Sequence, residues 1–268
     1  MAGAMMMAQM AWHSAELLTP ENLNPDVWVD FGDASSYTLA GSNITALTDK
    51  AGNFTLSING TPSVLTTLNG LTTGTFDGNE SIVSTGTGPY ASSGNHYAAG
   101  IFQFNVTTST RDSFWSADAG RTYAVSSSNS SSSWPGEIDY DGSNSIVTGK
   151  AKQDFTVPVS INTWTIVSTT FNKTGNEIFG RINGAVASAG DPYNTSMSST
   201  ADFRLMRNRA SVELQGKAAE FFWVAGPTGT GGTDVSNVEK AEGYLAWKWG
   251  LQSNLPISHP YKNAAPTV

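Results

Sequence analysis

The chain has 268 residues, of which only 13% are charged, and it contains no cysteine. A typical soluble domain carries about 25% charged residues; here Ser, Thr, Asn and Gly make up the difference, and that composition favours turns and strands. The lack of cysteine excludes a disulfide framework, a thiolate nucleophile and cysteine-ligated zinc or iron-sulfur sites. The formal net charge of −8 disfavours nucleic acid and anionic lipid as partners, and no stretch approaches the roughly 20 apolar residues that a membrane span needs.

The first 25 residues are predicted to form a segment of their own. They open with MAGAMMMAQM, and the first basic residue of the chain is Lys50, so this stretch lacks the charged start of a secretory signal peptide. Methionine side chains adapt to irregular apolar grooves, which favours an attachment arm that docks on a partner; an unpacked terminus is the alternative. Residues 26–268 are expected to form one domain, because β-sandwiches of roughly 200 to 250 residues commonly fold as a single unit.

From residue 26 onward, short runs of alternating apolar and polar residues predict an antiparallel β-sandwich. In the first run, Val27, Val29 and Phe31 alternate with Trp28 and Asp30, so the two sets are expected on opposite faces of one strand. Asn-Gly and Asp-Gly pairs between the runs tolerate the positive φ that tight hairpins require. Further strands are predicted at 54–58, 81–84, 98–106, 113–115, 122–126, 136–140, 154–157, 163–171, 177–182, 202–206 and 215–224.

One helix is predicted near the end of the chain, over Asn237 to Trp249. Ser236 and Glu239 have the spacing of a capping box, which marks a helix start. Gly250 is placed to end the helix. The apolar residues Val238, Ala241, Leu245 and Trp249 follow at helical spacing and form one stripe that can dock on a sheet.

The closing segment EKAEGYLAWKWGLQ at 239–252, with Leu255-Pro256 and HPYK at 259–262, resembles the last helix and tail of concanavalin A-like jelly rolls of the laminin G-like type. VDFGDAS at 29–35, LTDKAGN at 47–53 and FDG at 76–78 add to the resemblance. It implies an all-β jelly-roll β-sandwich with one C-terminal helix. Domains of this type serve as adhesion or decoration modules on bacterial surface proteins and on bacteriophage tail and capsid proteins. The resemblance carries no catalytic residues, and fold alone does not imply them.

The segment WPGEIDYDG at 134–142 resembles the catalytic strand of laminarinase-type retaining glycoside hydrolases. That resemblance implies Glu137 as nucleophile, Asp139 as assisting acid and Asp141 as acid/base, which alternation would bring to one face. The sequence departs from the family at Asp141, where the family has Glu, and Gly142 follows as a turn signal. The alternative is a solvated strand end whose charges discourage edge-to-edge pairing.

The same acidic segment offers oxygen ligands for calcium. Asp139, Asp141, Ser143 and Asn144 form a plausible partial set, because calcium takes carboxylate and amide oxygens. The spacing does not follow the EF-hand loop, since Gly142 comes too early. No other cofactor is expected.

Aromatic residues near these acids favour sugar binding. Trp134 and Tyr140 flank the acidic segment, and an aromatic ring can cover the C–H face of a sugar while Asp139 and Asp141 take its hydroxyls. Trp115, which also lies near acidic residues, is the fifth candidate ligand residue. Core packing is the alternative for each tryptophan, since most tryptophans in a sandwich are buried on at least one side.

The remaining signals are structural. Trp223, Trp247 and Trp249 are expected in the core between the last helix and the sheet. Arg207 and Arg209 are expected to pair with acids such as Glu213 or with a neighbouring subunit. The histidines His13, His96 and His259 lie in unrelated segments, which indicates neither a zinc triad nor a Ser-His-Asp arrangement.

The leading hypothesis is therefore a non-enzymatic structural or adhesive module, expected on the surface of a phage particle and held to other virion proteins through residues 1–25. The family resemblance implies a homo-oligomer, with a trimer favoured. Glycan binding is expected as its surface chemistry. The alternatives are a retaining glycoside hydrolase that uses Glu137, Asp139 and Asp141, and a free carbohydrate-binding module at a cell surface or in secreted form.

Overall fold

The structure is a computed structural model that describes residues 16–85, 96–105, 113–117, 123–127, 133–139, 152–172, 177–187, 202–207, 213–225 and 235–268. The helices of this part are α1 (Pro20–Leu23) and α2 (Val235–Lys248). The strands are, in chain order, β1 (Val27–Asp30), β2 (Tyr37–Ala40), β3 (Asn43–Leu47), β4 (Thr55–Asn59), β5 (Ser63–Leu68), β6 (Leu71–Asp77), β7 (Ser81–Thr85), β8 (His96–Phe104), β9 (Ser113–Ala117), β10 (Tyr123–Ser127), β11 (Ser133–Asp139), β12 (Lys152–Ser160), β13 (Thr165–Asn172), β14 (Glu177–Ile182), β15 (Ala185–Val186), β16 (Phe203–Leu205) and β17 (Gln215–Ala225).

Every strand predicted from residue 27 onward is present, within a few residues at each end. The sequence prediction missed β2, β3, β5, β6 and the short β15. In β5 and β6 the outward positions are mostly threonine and the pattern is interrupted by a β-bulge in β5, so the apolar alternation that reveals a strand is weak. Asn69 and Gly70 join these two strands with φ of 50° and 77°, the paired positive values of a tight hairpin turn.

The described strands form two antiparallel sheets. One has the order β15-β14-β13-β8-β17-β6-β5-β3-β2, with β1 also pairing with β17, and makes ten strands. The other has seven strands in the order β12-β11-β10-β9-β16-β7-β4. The predicted all-β sandwich is confirmed.

The ten-stranded sheet carries a buried apolar cluster on each of its faces. We call the face toward the other sheet the inner face, and the face that carries α2 the outer face. Val27, Val29 and Phe31 belong to the inner apolar cluster, whereas Trp28 belongs to the outer one, as alternation predicts. Large residues of the inner cluster are Phe31, Phe76, Phe102, Phe104, Phe114, Trp115, Phe203, Phe221 and Trp223.

Helix α2 lies on the outer face against β8 and β13. Its predicted stripe of Val238, Ala241, Leu245 and Trp249 is buried there. The helix begins at Val235, so Ser236 lies in the first turn and not at the N-cap position that the capping box requires. It ends as predicted: Gly250 has a φ of 71°, and the Leu251 amide donates to the Ala246 carbonyl at 2.7 Å, the pattern of a Schellman motif.

The two ends of the described chain meet beside this helix. The Leu18 amide donates to the Pro266 carbonyl, and the Val268 amide donates to the Glu16 carbonyl, both at 3.0 Å. Leu18 is buried, so the part of the predicted arm that the structure describes packs onto the sandwich. Residues 1–15 lie outside the described residues. Among the helices that are described, none has the length and apolar character that a membrane crossing requires.

Candidate functional site

The predicted acidic site lies only partly within the described residues. Glu137 is opposite Ser126 on β10 and Asp154 on β12, and Asp139 is opposite Ala124 and Lys152. Strand β11 is therefore an interior strand, because β12 pairs along its other side, and the interpretation of its acids as edge protection is wrong. Trp134, at the start of the same strand, is opposite Val159.

The residues that would complete this site, Tyr140, Asp141, Ser143 and Asn144, lie outside the described residues. The sugar-binding, hydrolase and calcium hypotheses that depend on them stay predictions. Within the described ranges, no group of three or more acidic or histidine side chains is placed to hold a metal ion.

Trp115 does not offer a ring to a ligand. Its side chain is 1% exposed and lies in the inner cluster, with ring centroids 5.2 Å from Phe221 and 5.6 Å from Phe102. Its expected role in sugar binding is corrected accordingly: the alternation in β9 turns this ring inward, and the apolar core holds it there.

The other tryptophans assigned to the core divide between two layers. Trp249 is buried under α2 as expected. Trp223 instead lies between the sheets, where it stacks on His96 at 4.4 Å. Trp247 is only partly buried, and its Nε1 donates to the Tyr261 carbonyl at 2.8 Å.

A fully buried carboxylate, Glu220 on β17, fastens the helix to the outer face. It accepts hydrogen bonds from Trp28 Nε1 at 2.8 Å, Trp249 Nε1 at 2.7 Å and the Tyr244 hydroxyl at 3.0 Å. Lys248 Nζ lies 2.8 Å from Glu220 Oε2. Burial raises the pKa of the Glu220 carboxyl, and the Lys248 ammonium opposes that rise.

The Glu220 cluster continues to the start of the domain through Asp30. Lys248 Nζ donates to Asp30 Oδ2 at 2.7 Å, and Lys50 Nζ lies 3.5 Å from the same oxygen. Lys50 also donates to Asp33 at 2.7 Å and lies 4.0 Å from the centroid of the Trp28 ring. The hydrogen bond from Lys50 and a further one from Ser35 hold the pKa of the Asp33 carboxyl well below its ordinary value.

A second buried carboxylate, Glu242 on α2, holds the tail. Arg181 Nε donates to Glu242 Oε1 at 2.8 Å, and His259 Nε2 lies 3.1 Å from Oε2. The Ser168 hydroxyl also donates to Oε1. Arg181 donates further to the Gly184 carbonyl at 2.7 Å. In this way Glu242 joins β13, β14, α2 and the segment after the helix.

These two clusters explain why acids stand inside apolar segments. Glu220 interrupts the apolar run of β17, and Glu242 follows Ala241 within the apolar stripe of α2, which was the signal available in the sequence. Each carboxylate is already occupied by cations and N–H or O–H donors, which is the condition under which a charge can be buried. Their role is to position α2 and the tail. The predicted pairing of Arg207 with Glu213 is present, since Arg207 Nε lies 3.4 Å from Glu213 Oε1, whereas Arg209 lies outside the described residues.

Beyond the helix, the outer face carries a polar row across four strands, which we call the outer strip. Register places Ser63 opposite Thr75, Thr75 opposite Lys217, and Lys217 opposite Gln103. Trp164 directly precedes Thr165, which pairs with Phe102, so Trp164 lies beside Gln103 at the end of the row. It is partly buried against the outer cluster.

The outer strip faces away from the other sheet. The neighbours of Gln103 along β8, Phe102 and Phe104, belong to the inner cluster, and so does Ala218, the neighbour of Lys217. Sequence reasoning did not find the strip, because its members are far apart in the chain and two of its strands were not predicted.

Comparison with known proteins supports the fold. No family model and no curated protein sequence matches the chain, whereas solved structures do. One is domain 4 of AbnA, a GH43 extracellular arabinanase from Geobacillus stearothermophilus, in complex with arabinotriose. It is 15% identical with a TM-score of 0.57, over 84% of this chain and 97% of that one. The fold is shared over essentially the whole of that domain.

Two further matches are botulinum neurotoxin structures. The binding domain of botulinum neurotoxin DC in complex with SialylT is 12% identical with a TM-score of 0.54, over 83% of this chain and 52% of that one. A type C structure, described with cell entry that depends on two ganglioside molecules, is 12% identical with a TM-score of 0.50, over 77% and 49%. This chain thus spans about half of each neurotoxin chain, and the likeness is one of fold.

Proposed function

We propose that this protein is a non-enzymatic, adhesive β-sandwich module that binds carbohydrate. The observation that carries the proposal is the match to an arabinanase domain in complex with arabinotriose, which covers 97% of that domain. A domain of the same fold and extent can thus serve sugar binding by itself. Function still has to come from a site, since one fold hosts many activities.

The buried carboxylates support binding over catalysis. Glu220 and Glu242 are fully buried and occupied by Lys248, Arg181 and neutral donors, so they are closed to a substrate. In the part of the chain that is described, these acids hold the helix and tail in place. The β11 acids remain the basis of the hydrolase alternative.

The setting that we propose is the surface of a phage particle. Its support is the resemblance of the last helix and tail to domains of phage tail and capsid proteins. Residues 1–25 would attach the module to other virion proteins, and the module would be a homo-oligomer, with a trimer favoured.

A glycan array tests the binding function. The purified protein is expected to bind a subset of immobilised oligosaccharides and to release no reducing sugar from them. The matched variant Glu137→Gln should bind the same glycans with unchanged affinity. Turnover by the parent that is lost in Glu137→Gln would replace our proposal with the hydrolase, and a parent that binds no glycan would refute carbohydrate binding.

A truncation tests attachment. Deleting residues 1–15 leaves the pairing of Glu16–Leu18 with Pro266–Val268 intact, so the sandwich should keep its melting temperature. We expect this truncated protein to keep glycan binding and to lose incorporation into particles. Normal incorporation would show that the first 15 residues are not the attachment segment.

A further inference from the structure

The outer strip has features of a ligand-binding surface, and the most informative of them is that the ammonium group of Lys217 is unpaired among the described residues. It makes no hydrogen bond or ion pair with any residue that the structure describes. The lysines of the Glu220 cluster, by contrast, are each bound to a carboxylate. Asp77 lies two residues from Thr75 on β6, diagonally across from Lys217, and its carboxylate accepts hydrogen bonds from the Asn79 amide and side chain at 3.0 and 3.1 Å. A cation with no internal partner attracts an external anion.

Near Lys217, the partly exposed side chains of Thr66 and Thr75 offer hydroxyls to a sugar, whereas Thr73 and Gln103 are buried. Thr66 Oγ1 lies 2.7 Å from Thr73 Oγ1 and 3.1 Å from Thr75 Oγ1, so these hydroxyls are held in one network. Gln103 Nε2 donates to the Asn162 carbonyl at 2.9 Å, which fixes its amide in position. Side chains that are already oriented lose little conformational freedom when a ligand arrives.

Trp164 supplies an aromatic surface at the end of the strip. It packs on the outer cluster but remains partly exposed. An aromatic ring packs against the C–H face of a sugar, while hydroxyl, amide and ammonium groups fix its orientation. From Ser63 to Trp164 the strip crosses five neighbouring segments, or about 19 Å at roughly 4.8 Å per strand spacing, which is the length of an oligosaccharide and not of a single sugar.

We propose that the outer strip binds a linear acidic polysaccharide and that Lys217 pairs with the carboxylate of an internal uronate unit. This inference rests on the carbohydrate-binding function proposed above. Lys217 stands in the middle of the strip, with Ser63 and Thr75 on one side and Gln103 and Trp164 on the other. A charged unit at this position needs neighbouring units on both sides. That arrangement favours a uronate within a chain over a sialic acid at a chain end.

Titration calorimetry with tetragalacturonate tests this assignment, and its fully methyl-esterified form is the uncharged counterpart. The parent should bind the acid about tenfold more tightly than the ester, as expected for one charge-assisted hydrogen bond. Lys217→Met keeps the aliphatic stem and should bind the acid about tenfold more weakly than the parent does. Lys240→Met is the matched control, because Lys240 lies on α2 away from the strip, and its affinity should not change.

The outcomes separate this inference from the proposed function. Equal binding of acid and ester, or unchanged binding by Lys217→Met, overturns the assignment of Lys217. Binding of neutral arabino-oligosaccharides or of sialyllactose alone overturns the uronate while it leaves carbohydrate binding in place. If the parent binds none of these ligands and no glycan on the array, both proposals fail.

Discussion

Replacing Lys248 by methionine is expected to destabilise the fold by about 3 kcal/mol at neutral pH. Lys248 Nζ lies 2.7 Å from Asp30 Oδ2 and 2.8 Å from Glu220 Oε2, and both carboxylates are at least 97% buried. Removing one partner of a buried ion pair costs about 3 to 5 kcal/mol, because a buried charge is left without its counter-charge. Three neutral donors would still contact Glu220, which places the expected loss near the lower end of that range.

The pH dependence of this loss identifies its cause. Burial raises the pKa of the Glu220 carboxyl, so the folded state takes up a proton there more readily than the unfolded chain does. The variant lacks the ammonium that opposes this rise. Lowering the pH from 7 to about 5 should therefore favour the protonated, uncharged form of Glu220 in the variant and make the loss smaller.

Urea denaturation of parent and variant at both pH values measures the two quantities. Lys240→Met is the control on the same helix. Lys240 makes no ion pair with the described residues, so this change should alter stability by less than about 0.5 kcal/mol. In the double variant Lys248→Met with Glu220→Gln, the losses should be less than additive, because the second change removes the buried charge. A loss below about 1 kcal/mol at pH 7, or equal losses at both pH values, would refute the reasoning.

Three further changes test other parts of the structure. Trp115→Ala should lower the free energy of unfolding by about 3 to 5 kcal/mol because it empties the inner cluster, while a stable variant with weakened glycan binding would restore Trp115 as a ligand residue. Glu242→Ala should cost about 3 kcal/mol and speed amide hydrogen exchange in residues 251–268, since Arg181 and His259 lose their shared partner; unchanged exchange would show that the tail is held by other contacts. Asp33→Asn should lower the free energy of unfolding by at most about 1 kcal/mol near pH 7, and thermal melting measures this loss. Because folding lowers the pKa of this carboxyl, its contribution to stability is present above pH 3.8 and is lost only as the pH falls below that value. Parent and variant should therefore become equally stable in acid. A stability difference that stays constant with pH would contradict this reasoning.

Local patterns were sufficient where apolar residues recur at a regular spacing. The alternation at 27–31 assigned Val27 and Val29 to one layer and Trp28 to another, and the stripe of α2 identified its buried side. The same patterns failed in β5 and β6, where threonine occupies both kinds of position and a bulge shifts the register. They also placed the helix start two residues late, because a capping box was inferred from residue types alone.

The sequence by itself determined the strand and turn positions of most of the sandwich and the apolar side of its last helix, because side-chain direction repeats every 2 or 3.6 residues and needs only neighbours along the chain. It could not show that Trp115 faces the inner cluster or that Glu220 and Glu242 each meet a cation from a distant segment. Those facts depend on which strands pair and in what register. The outer strip is of this second kind: residues 63, 75, 103, 164 and 217 form one row only because the tertiary structure brings β5, β6, β17, β8 and the start of β13 side by side.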